Sequence, residues 1–192
     1  MHGHNSLFCS RGWRAEFYLR IARDLPELFP LAGVVARRPE VRDRLAREWN
    51  APVFSTVEEL LERTSPGFIV SSVPWAANLP LIESLNDSSR TDGGVPVLSE
   101  TPIAPELDNL RKVAALVRAG ARIQVAEQYI FQPLHAARLA LIASGKLGPV
   151  REANVSAAHG YHGISLLRHY LQAGMALPKI RARRVTSRIV AG

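Results

Sequence analysis

The 192-residue chain has a single cysteine, Cys9. That excludes an internal disulfide framework and any zinc site built from several thiolates. A reducing cytoplasm is the compartment it fits. No apolar run reaches the roughly 18 residues that a membrane span requires. The opening "MHGHNSLF" lacks the basic-then-apolar pattern of a signal segment. Aromatic residues make up only 7%, and none interleaves with a basic stripe, so the net charge of +7 comes without a nucleic-acid motif. One basic cluster stands out, "KIRARRVTSR" at 179–188. The excess reads either as a solvated basic face or as arginines that meet a phosphorylated small molecule. What is present suits a globular protein with one good core: 47% hydrophobic and 21% charged residues.

Short apolar segments alternate with segments of helical period. Strands are expected at 5–10, 31–36, 52–55, 67–74, 95–100 and 121–128. Helices are expected at 14–25, 39–49, 57–63, 77–86, 105–119 and 133–148. Proline opens the second helix. Thr56 caps the third, with Glu59 completing a capping box. The segment 150–160, "VREANVSAAHG", reads as a longer strand. About six alternations at short spacing predict an α/β, doubly wound parallel sheet with helices on both faces. The boundary falls near Gln128, giving a first domain at 1–128 and the start of a second, incomplete α+β domain at 129–192. The apolar "RIVAG" at the end is the basis for expecting that second domain to be cut short.

The turn in "CSRGWRAEF" places Ser10, Gly12 and Ala15 where a G-x-G-x-x-G/A phosphate-binding fingerprint has its small residues. Little bulk there lets a pyrophosphate approach backbone N–H groups at a helix N-terminus. The alternative is an ordinary strand-to-helix turn. The second strand ends "VVARR". Where an NAD-binding fold places an acid for the ribose hydroxyls, Ala36 stands instead, followed by Arg37 and Arg38. Loss of the acid removes repulsion against a 2′-phosphate, and a guanidinium pairs with that group in bidentate fashion. A dinucleotide site built this way favours NADP over NAD; two solvated arginines are the alternative. "SSVPWAAN" and "LSETP" are further strand ends, on the edge where open α/β sheets bind ligands.

Four pieces in this order, "SRGWRA", "SVPWAANLPLIESL", "GVPVLSETPIA" and "AEQYIFQP", carry a resemblance. The chain resembles the glucose-fructose oxidoreductase / inositol dehydrogenase / MocA-like family of NAD(P)-dependent oxidoreductases over roughly residues 6–172. The third piece matches the family pattern G-K-H-V-L-x-E-K-P-L-A. The resemblance implies a Rossmann domain followed by an α/β substrate domain that often mediates homo-oligomers. It implies cofactor contacts at Ser10, Gly12, Trp13 and Arg14 around the pyrophosphate, and at Arg37 and Arg38 around the adenosine ribose. Ser72, Val73, Pro74 and Asn78 would line the cleft. Glu100 would lie near the nicotinamide ribose, and Gln128 and Tyr129 would face nicotinamide and substrate. The implied activity is hydride transfer between nicotinamide and a sugar, polyol or similar small hydroxyl or carbonyl compound.

Departures accompany the match. The family's E-K-P lysine is Thr101, which can hydrogen-bond but is a poor acid or base. The arginine of Y-R-F-x-P is Ile130. His162 aligns with the histidine of a G-x-H-x-x-D motif whose aspartate is Ser165. An imidazole titrates near neutrality, so His162 is the candidate general acid or base; the alternative is a histidine that packs a helix start. His159 and His162 form H-x-x-H, but no third ligand is evident and no metal is expected. Thr101 and Ile130 also leave open a non-catalytic dinucleotide- or sugar-binding protein on the same scaffold.

Overall fold

A computed structural model describes residues 6–10, 13–86, 94–174 and 183. Six strands form one sheet: β1 (Ser6–Ser10), β2 (Leu31–Val35), β3 (Val53–Phe54), β4 (Phe68–Ser72), β5 (Val97–Ser99) and β6 (Ile123–Val125). Their order is β3-β2-β1-β4-β5-β6, and every neighbouring pair is parallel. Helices α1 (Trp13–Asp24), α2 (Pro39–Trp49), α3 (Val57–Arg63), α4 (Trp75–Leu85) and α5 (Leu107–Arg118) connect them. The doubly wound sheet expected from the alternation is present. Its order reverses between β1 and β4, the switch point at which such sheets bind ligands.

Successive residues of each strand feed opposite faces, as the pleat requires. Val35, Ile69 and Val97 join Leu60 of α3, Leu79, Ile82 and Leu85 of α4 and Val113 of α5 in one cluster. Val34 and Val70 join Leu19 and Ala22 of α1 and Leu45 of α2 in the other. Leu60, Ile82 and Leu85 are wholly buried, each worth about 1.5–3 kcal/mol over an exposed position. Gly33 in β2 is a glycine for lack of space. A Cβ there would lie 2.5 Å from the Phe54 ring and 3.1 Å from Leu60.

Local signals set the helix ends. Thr56 accepts from Glu59 N at 3.1 Å. The return bond of the box goes one residue further out, from Ser55 N and Ser55 Oγ to Glu59 Oε2 at 2.9 and 2.7 Å. Those two bonds, the backbone one first, hold the Glu59 carboxyl below its usual range. Trp49, at the end of α2, packs against the second cluster.

The chain divides into two compact units, Met1–Glu127 and Gln128–Gly192. The described part of the second unit is helical. It holds a 3-10 turn (Tyr129–Phe131), α6 (Pro133–Ala143) and α7 (Gly160–Tyr170). Two expectations are corrected here. The segment 150–160 is not a strand: residues 151–157 have no regular structure, and α7 begins at Gly160. A strand needs a neighbour for its N–H and C=O groups, and the ladders among the described residues include none for this segment. α6 stops at Ala143 and not at Gly148, because Gly145 turns the chain with φ +72°. Among the described residues no helix is long and apolar enough to cross a membrane. Gly12, "RIVAG" and most of the basic cluster lie outside the described residues.

Candidate functional site

Strand ends and helix starts meet at the carboxyl edge of the sheet. Ser10 closes β1 and pairs in register with Ser72, which closes β4. Trp13 opens α1, and Arg14 lies half-buried in its first turn. Beyond β2, Arg42 of α2 clips the turn by donating to the carbonyls of Arg37 at 2.8 Å and Ala36 at 3.3 Å.

A cavity of about 770 Å³ opens beside this turn. Its walls include Val35, Ala36, Arg37 and Arg38 from the end of β2, Ser55 and Thr56 from the end of β3, and Val73 and Pro74 from the end of β4. Glu16, Arg44 and Glu58 are charged residues of the same lining. Leu19, Val35, Val41, Leu45, Val57 and Leu81 make much of the lining apolar, and Ala36 adds little bulk. Arg38 contacts Glu40 at 3.4 Å on an exposed surface, an ion pair that water screens and an anionic ligand can replace. The sequence had singled out Arg37, Arg38, Val73 and Pro74. Thr56 was read only as a helix cap, and Ser55 and Val57 were given no role; the pairing of β3 beside β2 brings all three to the wall.

Asn78 lies elsewhere. It is buried in α4 and bonded inside the protein. Ser71 Oγ donates to its Oδ1 at 2.5 Å, and its Nδ2 donates to Ser99 Oγ at 2.9 Å and to Ile103 O at 2.7 Å. Both amide hydrogens are thereby committed to β5 and the loop after it.

Glu100 and Thr101 follow β5, and the Thr101–Pro102 peptide is cis. Glu100 N continues the ladder to Ser71 O at 2.9 Å. The Glu100 carboxylate is held at both oxygens: Tyr18 of α1 donates to Oε1 at 2.6 Å, and Thr101 N donates to Oε2 at 3.3 Å. Burial and then the hydrogen bond to Glu100 push the Tyr18 phenol well above the usual tyrosine range, with Arg14 opposing. Nothing local in the sequence marks Tyr18, because its partner lies 82 positions away.

In the second unit Gln128 is exposed and precedes the 3-10 turn. Tyr129 and His162 stack, ring centroids 4.1 Å apart and planes within 19°. Two residues picked separately from sequence are thus in contact. His162 is buried, and the Tyr161 ring is tilted against it, centroids 4.4 Å apart. His135 Nδ1 and Tyr170 OH share a hydrogen bond at 2.5 Å, with His135 6.1 Å from Tyr129. Among the described residues no group of three metal-ligating side chains converges.

The strand order, the switch point and the cleft at the carboxyl edge define a Rossmann-type fold. Solved structures bear this out. Myo-inositol 2-dehydrogenase from Lactobacillus plantarum matches with a TM-score of 0.74 at 11% identity, over 88% of this chain and 57% of that one. GenD2 from gentamicin A biosynthesis, solved with NAD, matches at 0.72 and 20% identity, over 89% and 54%. The WlbA dehydrogenase from Bordetella pertussis, solved with NADH and UDP-GlcNAcA, matches at 0.66 and 18% identity, over 77% and 44%. These are glucose-fructose oxidoreductase / inositol dehydrogenase / MocA proteins, and the resemblance drawn from the motifs holds at the level of the fold. The chain spans about half the length of these structures. No protein-family profile matches it, and no curated protein does.

Proposed function

We propose that the first unit binds a nicotinamide dinucleotide, NADP in preference to NAD, and serves an oxidoreductase acting on a sugar, polyol or similar small hydroxyl or carbonyl compound. The observation that carries this reading is the cavity at the ends of β2, β3 and β4, with Ala36 in its wall and Arg37 and Arg38 beside it. The residues fit the group. Apolar walls suit the adenine, the absence of an acid at Ala36 leaves room for a 2′-phosphate, and Arg37 and Arg38 supply matching charge. Ser10 at the end of β1 and the N-terminus of α1 would take the pyrophosphate.

The nicotinamide ring, when bound, supplies the hydride acceptor or donor. This chain's residues would do the rest. Glu100 would orient the second ribose, and Gln128 would stand where the reacting ring meets substrate. Thr101 would hydrogen-bond the reacting hydroxyl. His162, backed by Tyr129, would hold the proton that the hydroxyl releases on oxidation and return it on reduction.

Titration of the full chain with NADPH and NADH, followed by tryptophan fluorescence, tests the reading. NADPH should bind more tightly. A charge-assisted pair of about 1.5–3 kcal/mol predicts a preference of roughly ten- to hundredfold, which Arg37→Ala should shrink. Equal affinities would remove the arginine assignment, and no binding of either would remove the nucleotide.

A further inference from the structure

We propose that Tyr18 is a positioning residue that holds the Glu100 carboxylate in place for the nicotinamide half of the dinucleotide. The proposal rests on the nucleotide reading above. In a doubly wound sheet a dinucleotide crosses the switch point, with one mononucleotide on each side. Here the large cavity lies at the ends of β2, β3 and β4. β5 lies beyond β4 in the sheet, and Glu100 is the first residue after it. Glu100 is therefore placed for the other half, across the switch point from Arg37 and Arg38.

A glutamate at a strand end has three side-chain torsions and sweeps widely unless tethered. This one is tethered at every level. Its N–H donates to Ser71 O at 2.9 Å, and its C=O accepts from Ser99 Oγ at 3.2 Å. One carboxylate oxygen accepts from its neighbour's amide and the other from Tyr18, 82 positions earlier in the chain. Each oxygen has two acceptor positions, so one on each is still open to a ligand hydroxyl. Two fixed carboxylate oxygens can accept from the two hydroxyls of a vicinal diol such as a ribose presents. Tyr18 is half-buried beside Leu19, a core residue of α1, so its ring already has a packing role. The phenolic oxygen adds aim. The retained proton keeps Tyr18 a donor throughout the neutral range, and the carboxylate an acceptor.

The test uses the full chain, NADPH and adenosine 2′,5′-bisphosphate, which carries only the adenosine half. Tyr18→Phe keeps the ring and removes the donor; Glu100→Gln keeps the shape and changes the acceptor. Each should weaken NADPH by about three- to tenfold, the size of one hydrogen bond. The bisphosphate should bind both variants as it binds the wild type. The double variant should bind NADPH no more weakly than Glu100→Gln alone, because the phenol acts through the carboxylate. Unchanged NADPH affinity in Tyr18→Phe would overturn the proposal while leaving the nucleotide reading intact. Parallel loss of bisphosphate affinity would also overturn it, since that marks a loosened α1 and not a misaimed carboxylate. A wild type that binds the bisphosphate but not NADPH would remove the second half-site and the role of Tyr18 with it. Failure to bind either probe would remove the nucleotide reading itself.

Discussion

Replacing Asn78 by alanine probes how the carboxyl edge is built. The side chain belongs to a residue only 3% exposed and makes three hydrogen bonds, to Ser71, Ser99 and Ile103. At about 1 kcal/mol net each, their loss amounts to about 3 kcal/mol. The Ile103 carbonyl, on a residue 7% exposed, also loses this donor. An unsatisfied buried acceptor adds about 1–3 kcal/mol. The sum, about 4–6 kcal/mol, is a large part of the roughly 5–15 kcal/mol that holds a domain folded. Thermal unfolding followed by far-ultraviolet circular dichroism should show a melting temperature lower by about 10 °C or more. Asn78→Asp should fare no better, since it loses both donors and brings a charge among buried groups. An unchanged melting temperature together with lost nucleotide affinity would refute this reasoning. It would mean that the carboxamide serves a ligand and not the fold.

Two further outcomes are expected. Gly33→Ala should destabilise by about 1–3 kcal/mol in urea titration, because the new methyl meets the Phe54 ring and Leu60 in a filled core; a neutral effect would show that Phe54 swings aside freely. Tyr18 has a raised pKa in the folded state, so its contribution to stability is complete below about pH 10 and is lost as pH climbs toward the folded value. Wild type should therefore lose stability more steeply than Tyr18→Phe above about pH 10, and phenolate absorbance should appear late; parallel stability curves would show that the phenol is not held by Glu100.

Much of the first unit was readable because its signals are local. An apolar run between breakers reads as a buried strand from a short window, and helix starts are marked by the fixed φ of Pro39 and by the bond that Thr56 makes within one turn. The segment 150–160 misled for the same reason. Its alternation is a local pattern, whereas a strand is completed by a partner. Arg37 and Arg38 were legible since they come two and three positions after a strand end.

By itself, then, the sequence determined the alternation of strand and helix, the boundary near Gln128 as an expectation, and which residues follow each strand. Only the tertiary structure decided that Tyr18 reaches Glu100, that Asn78 ties β4 to β5, and that Tyr129 lies against His162. Those contacts join residues 21 to 82 positions apart in the two hydrogen-bonded cases. Strand order and register bring them together, and neither is written in any short window of the chain.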